Sequence, residues 1–232
     1  MPHLSFIIPA YNEASRIVPS LAKAQAYFAA QAYTTEILVV NDGSTDDTTS
    51  VAKSVGGVRV LEQPRNMGKG AAVRRGMMEA KGEFRIFSDA DFSTPIYETA
   101  RVLERLQDRA DICIGSRGVD TTLVKKHQPW YRETLGKMVN IVVQAAFIPG
   151  ISDTQCGFKG FRAAAAEAVF SRAQLNGWMF DLEALYIASK LHLRIDEIPV
   201  EWYNDERSTV SFRHSWQIIR EILSIKRLHR RL

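Results

Sequence analysis

The sequence predicts an α/β protein built on a mostly parallel sheet with helices on both faces. Short apolar runs rich in Ile, Val and Phe recur through the first half, and segments with helical spacing separate them, as in residues 17–28. Strands that alternate with helices favour parallel pairing through right-handed crossovers. The predicted strands of this half are residues 4–10, 36–42, 58–63, 83–89 and 111–117.

The second half is less regular, and it contains no internal repeat or low-complexity linker. Its predicted elements are a helix at 130–148, an alanine-rich helix near 163–172, a helix near 179–190, a strand at 193–202 and a last helix from Phe212. We expect one domain over residues 1–232, with a first half at 1–118, a second half at 119–211 and a basic amphipathic helix at 212–232.

Composition places the chain among soluble globular proteins, with 46% hydrophobic and 24% charged residues over 232 positions. Cys113 and Cys156 are far apart and match no metal-binding spacing, which favours a reducing compartment such as the cytoplasm. The first residues reach proline and charge too early for a signal peptide. The longest apolar tract, 138–148, is well short of the roughly 20 residues that span a bilayer. We expect no membrane-spanning segment.

The positive charge of the chain is concentrated at its C-terminal end. The net charge is +4, and the residues from Ser208 onward carry six basic side chains and one acidic one, so they contribute +5 and the rest contributes −1. On the last helix, Phe212, Trp216, Ile219 and Leu223 share one face. Such a face either packs on the domain or lies in a membrane interface. Nucleic acid is not an expected partner, since the body is nearly neutral and has no nucleic-acid-binding motif.

Polar residues follow the apolar runs in the stretches PAYNE, NDGSTDD, SDAD and GSR. Ligands of parallel α/β sheets gather at these carboxyl ends of the strands. Most of NDGSTDD is explained as a turn followed by a helix cap at Ser44 or Thr45. Asp42 is the exception because the cap does not need it. Its carboxylate is available to accept hydrogen bonds from a nucleobase.

Lys69 lies among glycines at a predicted helix start, in NMGKGAAVRRG. Backbone N–H groups at such a position suit an anion. The stretch nevertheless departs from both the Walker A and the dinucleotide-binding patterns. By itself it is a weak indication of a phosphate site.

Asp89 and Asp91 stand one residue apart in SDADFSTP. Residues i and i+2 of an extended chain project to the same face, so the two carboxylates can converge on one cation. Like charges this close repel unless a positive group lies between them, and Mg²⁺ or Mn²⁺ would supply it. The alternative is a solvated acidic turn. Thr94 and Pro95 are predicted to be the N-cap and first residue of the next helix.

The ordered motifs IIPAYNE, VVNDGSTDDT, NMGKGAAVRRGM, SDADFSTP, IGSR, DTQCGFKGF and EIPVEW resemble those of the inverting family 2 glycosyltransferases of GT-A fold. They are most similar to the branch that glucosylates or mannosylates polyprenyl (dolichyl) phosphates, and DTQCGFK resembles its β-glucosyltransferases. The resemblance covers nearly the whole chain. It implies that half 1–118 binds a nucleotide sugar and half 119–211 the acceptor.

The resemblance also implies roles for individual residues of the first half. Asp42 would accept hydrogen bonds from the base, and Lys69 would lie near the same site. Asp89 would contact the ribose or the metal, and Asp91 would bind the metal on the donor diphosphate. Three further residues would border the nucleotide: Pro9, Tyr11 and Glu13.

An anionic polyprenyl phosphate can attack the sugar directly, so the acceptor half needs cations more than it needs a base. Arg117 and Arg132 are the candidates, because arginine holds phosphate in a bidentate fork. The alternatives are a core-edge ion pair for Arg117 and a solvated helix face for Arg132. Asp153 would orient the sugar or act as a base, or it merely forms a turn. Relatives carry Gly-Ser-Lys where this chain has residues 207–209, Arg-Ser-Thr.

The expected activity is metal-dependent, inverting transfer of a hexose to a polyprenyl or dolichyl phosphate, with Mg²⁺ or Mn²⁺ as cofactor. UDP-glucose is the favoured donor and GDP-mannose the second. Other interpretations are transfer to a saccharide hydroxyl, nucleotidyl transfer, and a non-catalytic membrane-associated module that binds nucleotide sugars. We expect a peripheral position on the cytoplasmic face of a membrane, which is compatible with a membrane-spanning partner protein.

Overall fold

The computed structural model describes residues 1–126, 147–204, 215–230 and 232. The strands are β1 (Leu4–Ala10), β2 (Thr35–Asn41), β3 (Val58–Glu62), β4 (Phe84–Ser88), β5 (Ile112–Ser116), β6 (Val124–Lys126), β7 (Phe158–Arg162), β8 (Ile195–Pro199) and β9 (Trp202–Tyr203). The helices are α1 (Ile17–Ala29), α2 (Thr48–Ser54), α3 (Lys69–Glu79), α4 (Glu98–Asp108), α5 (Ala163–Phe170), α6 (Phe180–Lys190) and α7 (Ser215–Leu228).

Seven of these strands form one sheet in the spatial order β3-β2-β1-β4-β7-β5-β8, and β6 pairs with β9 in a separate ribbon. Every pairing in the large sheet is parallel except those of β7, which runs antiparallel to both β4 and β5. The predicted α/β class with a mostly parallel sheet is confirmed. The division of the chain at residues 118 and 211 stays a prediction.

Two apolar layers cover the sheet because successive strand side chains alternate between its faces. Ile7 and Leu38 face the layer formed with α3, α5 and α6, whereas Phe6 and Val39 face the layer formed with α1 and α4. All four of these side chains are fully buried. The helices thus fix the sheet from both sides and leave the strand ends free to carry polar groups.

Strand β7 was not predicted, because lysine and glycine interrupt the apolar pattern of FKGFR. The glycine has a packing role, since a Cβ on Gly160 would lie 2.5 Å from a methyl carbon of Val102 on α4. Lys159 is fully buried despite its charge. A buried lysine and a glycine required by close packing both interrupt the apolar pattern by which a strand is recognised in a sequence.

Two predicted helix starts are wrong. Helix α4 begins at Glu98, four residues after Thr94, and the Pro95 carbonyl accepts a hydrogen bond from the Glu98 N–H at 3.1 Å. Helix α2 begins at Thr48, and the carboxylate of Asp46 accepts from the Thr48 N–H at 3.0 Å. The Asp46 carboxylate therefore accepts the hydrogen bond of the first turn that was expected of Ser44 or Thr45. Those two residues instead form contacts between loops.

Several predictions fall on residues 127–146 and 205–214, which lie outside the described residues. They include most of the predicted helix at 130–148, Arg132, Phe212 and the stretch 207–209. The last helix is described from Ser215, and side-chain positions are described for residues 220–230 and 232. In the part of the chain that the structure describes, no helix combines the length and the apolarity needed to cross a membrane.

Helix α7 and the residue after it contact the domain through polar groups as well as by apolar packing. The ring Nε2 of His229 lies 2.7 Å from Oε1 of Glu183 on α6, and both side chains are buried. Oε2 of Glu221 accepts from the Met179 N–H at 3.0 Å, and Ile225 is fully buried. Leu223, which was placed on the apolar face, is 73% exposed. The helix therefore docks through one face and presents Leu223 to solvent.

The packing of α3 on the sheet yields a stability prediction. A Cβ on Gly76 would lie 2.4 Å from a methyl carbon of Ile7 and 2.9 Å from one of Val40. We expect Gly76→Ala to lower the free energy of unfolding by roughly 1–3 kcal/mol, because overpacking outweighs the gain in helix propensity. Gly56→Ala is the control, since nothing lies within 4 Å of its Cβ. Urea unfolding of both variants measures the difference, and equal midpoints would contradict close packing of α3.

Candidate active site

Loops from the carboxyl ends of β1 and β2 are tied together at one end of the sheet. Asn12 adopts a left-handed backbone conformation, with φ 54°, and its Oδ1 accepts from the Thr45 N–H at 2.9 Å. The Asn12 N–H donates to Ser44 Oγ at 2.9 Å, and the Glu13 N–H donates to Thr48 Oγ1 at 2.7 Å. These bonds hold the PAYNE and NDGSTDD motifs side by side.

The three residues expected to border the nucleotide differ in accessibility. Pro9 is buried within β1, whereas the Tyr11 side chain is 41% exposed. The carboxylate of Glu13 forms an ion pair with Arg16. Of the three, Tyr11 offers the most accessible surface for stacking on a base.

Asp42 joins β2 to the loop before α3. Its carboxylate accepts from Gln63 Nε2 at 2.6 Å, from the Met67 N–H at 2.8 Å and from the Gly68 N–H at 2.9 Å. Burial raises the pKa of Asp42, and these three hydrogen bonds oppose that rise. Only 3% of the residue is exposed. The carboxylate thus has a structural task that its sequence motif did not reveal, and its contact with a base stays a prediction.

Helix α3 contributes the side chain of Lys69 to the site, and not its backbone N–H groups. The N–H groups of Gly70 and Ala71 both point to the carbonyl of Asn176, at 2.8 and 3.4 Å. These donors are therefore occupied, and the anion site considered for the helix start is not formed by them. Instead the ammonium of Lys69 lies 2.5 Å from Oδ1 of Asp89, at the end of β4.

Asp89 lies where several charged groups converge. Burial favours the neutral amine of Lys69, but the carboxylates of Asp89 and Asp181 outweigh it and raise the pKa of Lys69. The Asp89 carboxylate also packs on the backbone of the DTQCGFK loop: a Cβ on Gly157 would lie 2.1 Å from its Oδ2, and the Asp89 N–H donates to the Gly157 carbonyl at 3.1 Å. Only glycine at position 157 allows this contact.

Asp91 is a second carboxylate at this end of the sheet. Burial and then the negative charge of Asp89 raise the pKa of Asp91, while the Ser93 N–H and the cation of Arg16 lower it. The Ser93 N–H donates to Oδ1 at 2.9 Å. Phe92, between Asp91 and Ser93, has φ 50°. This left-handed conformation costs energy for a bulky residue and is often found at functional sites.

These two carboxylates suit a hard divalent cation. Burial and then the negative charge of Asp89 raise the pKa of Asp91, and a bound cation would offset the repulsion between the two carboxylates. Mg²⁺ and Mn²⁺ are commonly held by one or two carboxylates together with substrate phosphates. Within residues 1–126, 147–204, 215–230 and 232, no group of three or more His, Cys, Asp or Glu side chains is arranged so that it could hold a metal ion. Asp89 and Asp91 thus fit the protein's share of such a site, which is one or two carboxylates.

Arg117 and Asp153 form a bidentate ion pair beyond the end of β5. Nε of Arg117 lies 2.6 Å from Oδ2 and Nη2 lies 2.9 Å from Oδ1 of Asp153. Burial would raise the pKa of Asp153, but the ion pair with Arg117 lowers it to about 2. The guanidinium also lies 5.4 Å from the ring centroid of Trp202. With so low a pKa, Asp153 is a poor general base near neutral pH.

Glu197, on β8, supports this ion pair and was not found from the sequence. Its two carboxylate oxygens accept from the N–H groups of Ser152 and Asp153, each at 2.8 Å. A glutamate in a strand carries no motif, so only its position opposite the loop reveals it. The structure thus brings Asp89, Asp91 and Lys69 together and places Arg117 within electrostatic reach of Asp89.

The fold defines the class of protein. Mannosyl-3-phosphoglycerate synthase from Rubrobacter xylanophilus superposes with a TM-score of 0.77 at 18% identity, covering 100% of this chain and 76% of that protein. Glucosyl-3-phosphoglycerate synthase from Mycobacterium tuberculosis, bound to UDP, superposes with a TM-score of 0.71 at 18% identity, covering 97% and 80%. The protein has the GT-A fold of these glycosyltransferases, as the motifs predicted.

The sequence relationship is closer and identifies the family. The model of glycosyl transferase family 2 matches residues 5–170, and the chain belongs to that family. A dolichyl-phosphate beta-glucosyltransferase of Trichomonas vaginalis is 37% identical over 86% of this chain and 64% of its own length. The human dolichyl-phosphate beta-glucosyltransferase is 34% identical over 96% and 74%. The chain thus spans roughly two thirds to three quarters of these relatives.

The ion pair with Arg117 predicts how Asp153 contributes to stability. The pKa of Asp153 falls from 3.8 to about 2, so its contribution is present above pH 4 and is lost as the pH falls toward 2. This shift corresponds to about 2 kcal/mol. We expect Asp153→Asn to remove that part of the acid dependence in urea unfolding measured from pH 6 to pH 2. An unchanged acid slope would show that the ion pair does not form.

Proposed function

We propose that the protein transfers glucose from UDP-glucose to a polyprenyl or dolichyl phosphate with inversion at the anomeric carbon. The observation that carries this proposal is the group of Lys69, Asp89 and Asp91 at the end of β4, in a family 2 chain whose relatives are dolichyl-phosphate beta-glucosyltransferases. The proposed reaction joins an acceptor phosphate oxygen to the anomeric carbon while the bond from that carbon to the donor diphosphate breaks.

In the proposed donor site, the nucleotide lies along the ends of β1 and β2 near Tyr11 and Asp42. Asp89 and Asp91 would hold Mg²⁺ or Mn²⁺, and the bound cation would supply positive charge to offset the negative charge of the departing diphosphate. A structure of the Mycobacterium tuberculosis enzyme with this fold contains Mn²⁺, UDP-glucose and phosphoglyceric acid. Lys69 lies beside the same carboxylates and supplies a further cation for the diphosphate.

The low pKa of Asp153 supports an acceptor that is already anionic. A hydroxyl acceptor needs a general base, and a carboxylate with a pKa of about 2 gives little driving force for removing a proton. A phosphate monoester needs no proton removed before it attacks. Arg117, with a partly accessible guanidinium beside Trp202, is the proposed contact for that phosphate. Arg132 is proposed for the same task and lies outside the described residues.

The preference for glucose over mannose rests on the relatives, which are dolichyl-phosphate beta-glucosyltransferases. Mannosyl transfer from GDP-mannose remains the second candidate, because a structural neighbour of the same fold is a mannosyl-3-phosphoglycerate synthase. The bases of UDP and GDP differ in size and in hydrogen-bonding edges, so a panel of donors distinguishes them directly.

A lipid-linked acceptor further implies contact with a membrane surface. Helix α7 and the turn after it expose four basic side chains and the large apolar side chain of Leu223. The four are Arg220, Lys226, Arg227 and Arg230. Anionic headgroups attract such residues, and Leu223 can enter the interface. We propose that the protein binds peripherally through this face of α7, on the cytoplasmic side of the membrane.

The catalytic proposal predicts the behaviour of Asp91→Asn. The change keeps the side-chain shape but removes a charge needed to hold the cation, so we expect transfer of labelled glucose to a short polyprenyl phosphate to fall by roughly 100-fold or more. The assay includes Mn²⁺ and measures label in the organic phase. Asp108→Asn, at the exposed end of α4, is the matched control and should leave transfer unchanged.

Three results would each contradict one part of the proposal. Transfer of label to a sugar hydroxyl, with none to any polyprenyl phosphate, would exclude the lipid acceptor. Equal rates for the Asp91 variant and the unaltered chain would exclude the metal role of Asp91. Label transferred from GDP-mannose in preference to UDP-glucose would instead select the second candidate.

The membrane proposal is tested with vesicles that contain anionic phospholipid. We expect Arg227→Glu combined with Arg230→Glu to weaken co-sedimentation by roughly 30-fold or more, because each basic residue near the surface contributes about 1 kcal/mol. Lys23→Glu combined with Lys81→Glu changes the net charge equally at exposed positions elsewhere and should bind nearly as well as the unaltered chain. Equal losses in both double variants would mean that net charge, not α7, governs binding.

A further inference from the structure

Two buried charged residues, Lys159 on β7 and Asp181 on α6, lie behind the ion pair of Lys69 and Asp89. The Lys159 side chain is 0% exposed and that of Asp181 is 6% exposed, and Nζ lies 2.7 Å from Oδ1. The same ammonium donates to the Cys156 carbonyl. Removing two charges from water is costly, and an apolar pair often stabilises a fold as well. Stability therefore does not explain why these two charges are buried, and a role in function does.

The two lysines lie against two aromatic rings that contact each other. The Lys69 ammonium is 6.0 Å from the ring centroid of Phe180, the residue before Asp181, and the Lys159 ammonium is 5.6 Å from that of Phe87. The centroids of Phe87 and Phe180 are 5.8 Å apart. Asp181 is electrostatically coupled to both lysines. The charges thus alternate along one row, which we call the charge row and define as Lys159, Asp181, Lys69 and Asp89.

We propose that Lys159 and Asp181 are positioning residues that set how the Lys69 ammonium is shared between Asp181 and Asp89. This inference rests on the proposed function of Asp89 as a metal ligand. Lys159 neutralises Asp181, so Asp181 attracts Lys69 only weakly and Lys69 stays on Asp89. The strength of the Lys69–Asp89 contact then determines how readily the Asp89 carboxylate becomes available to a divalent cation.

The charge row predicts opposite effects for its two buried members. In Lys159→Met, the uncompensated Asp181 draws the Lys69 ammonium inward, which frees Asp89 and tightens cation binding. In Asp181→Asn, Lys69 has no competing carboxylate, so it stays on Asp89 and weakens cation binding. Second-layer partners of metal ligands typically alter metal affinity by 10- to 100-fold, so we expect roughly tenfold tighter binding in Lys159→Met and a smaller loss of affinity in Asp181→Asn, whose removed carboxylate attracted Lys69 only weakly.

The experiment is a titration with Mn²⁺, followed by the electron paramagnetic resonance signal of the free ion, with and without UDP. It includes both single variants, each of them combined with Lys69→Met, and Lys159→Met combined with Asp181→Leu. If Lys69 transmits the effect, both single shifts disappear in the Lys69→Met background. The shift of Lys159→Met also disappears when Asp181 is absent. The uncharged double variant keeps the comparison possible if a single variant does not fold.

Three outcomes would overturn the inference: shifts that persist undiminished without Lys69, shifts of the same sign in both single variants, or no Mn²⁺ binding with or without UDP. Persistence would indicate a general field effect of the removed charges. The transfer assay on the same samples separates this inference from the proposed function. Lipid glucosylation by the unaltered chain, with equal Mn²⁺ affinities in all variants, would refute the inference alone.

Discussion

The crowding of carboxylates at the end of β4 is the constraint around which the site is built. Burial and then the negative charge of Asp89 raise the pKa of Asp91, and burial and the charge of Asp89 likewise raise that of Asp181. Such a group is stable only when positive charge is supplied nearby. In the described residues Lys69 and Lys159 supply it, by direct ion pairs with Asp89 and Asp181.

The antiparallel strand β7 makes this arrangement possible. It lies between β4 and β5, so it carries residues from the second half of the chain in between two strands of the first half. Through it, Gly157 contacts the Asp89 carboxylate and Lys159 reaches Asp181. The donor and acceptor sides of the proposed site are therefore coupled through one strand and do not form independent units.

The parts of the structure that follow local rules were predictable from the sequence. Alternating apolar runs indicated the parallel strands, and the ordered motifs indicated the family and the residues at the strand ends. The contacts that depend on distant parts of the chain were not predictable. Asp42 binds a loop that follows it by more than 20 residues, Glu197 supports Asp153 from another strand, and buried Lys159 looks like a surface residue in the sequence.

A reaction between an anionic donor and an anionic acceptor requires cations that are present before either substrate arrives. Unpaired cations in a partly buried site would be destabilising, so the protein pairs them internally: Lys69 with Asp89, Arg117 with Asp153 and Arg16 with Glu13. Substrate phosphates can then replace or join these carboxylates without first desolvating a free charge. In the proposed reaction, the carboxylates thus hold the cations in position until the phosphates bind.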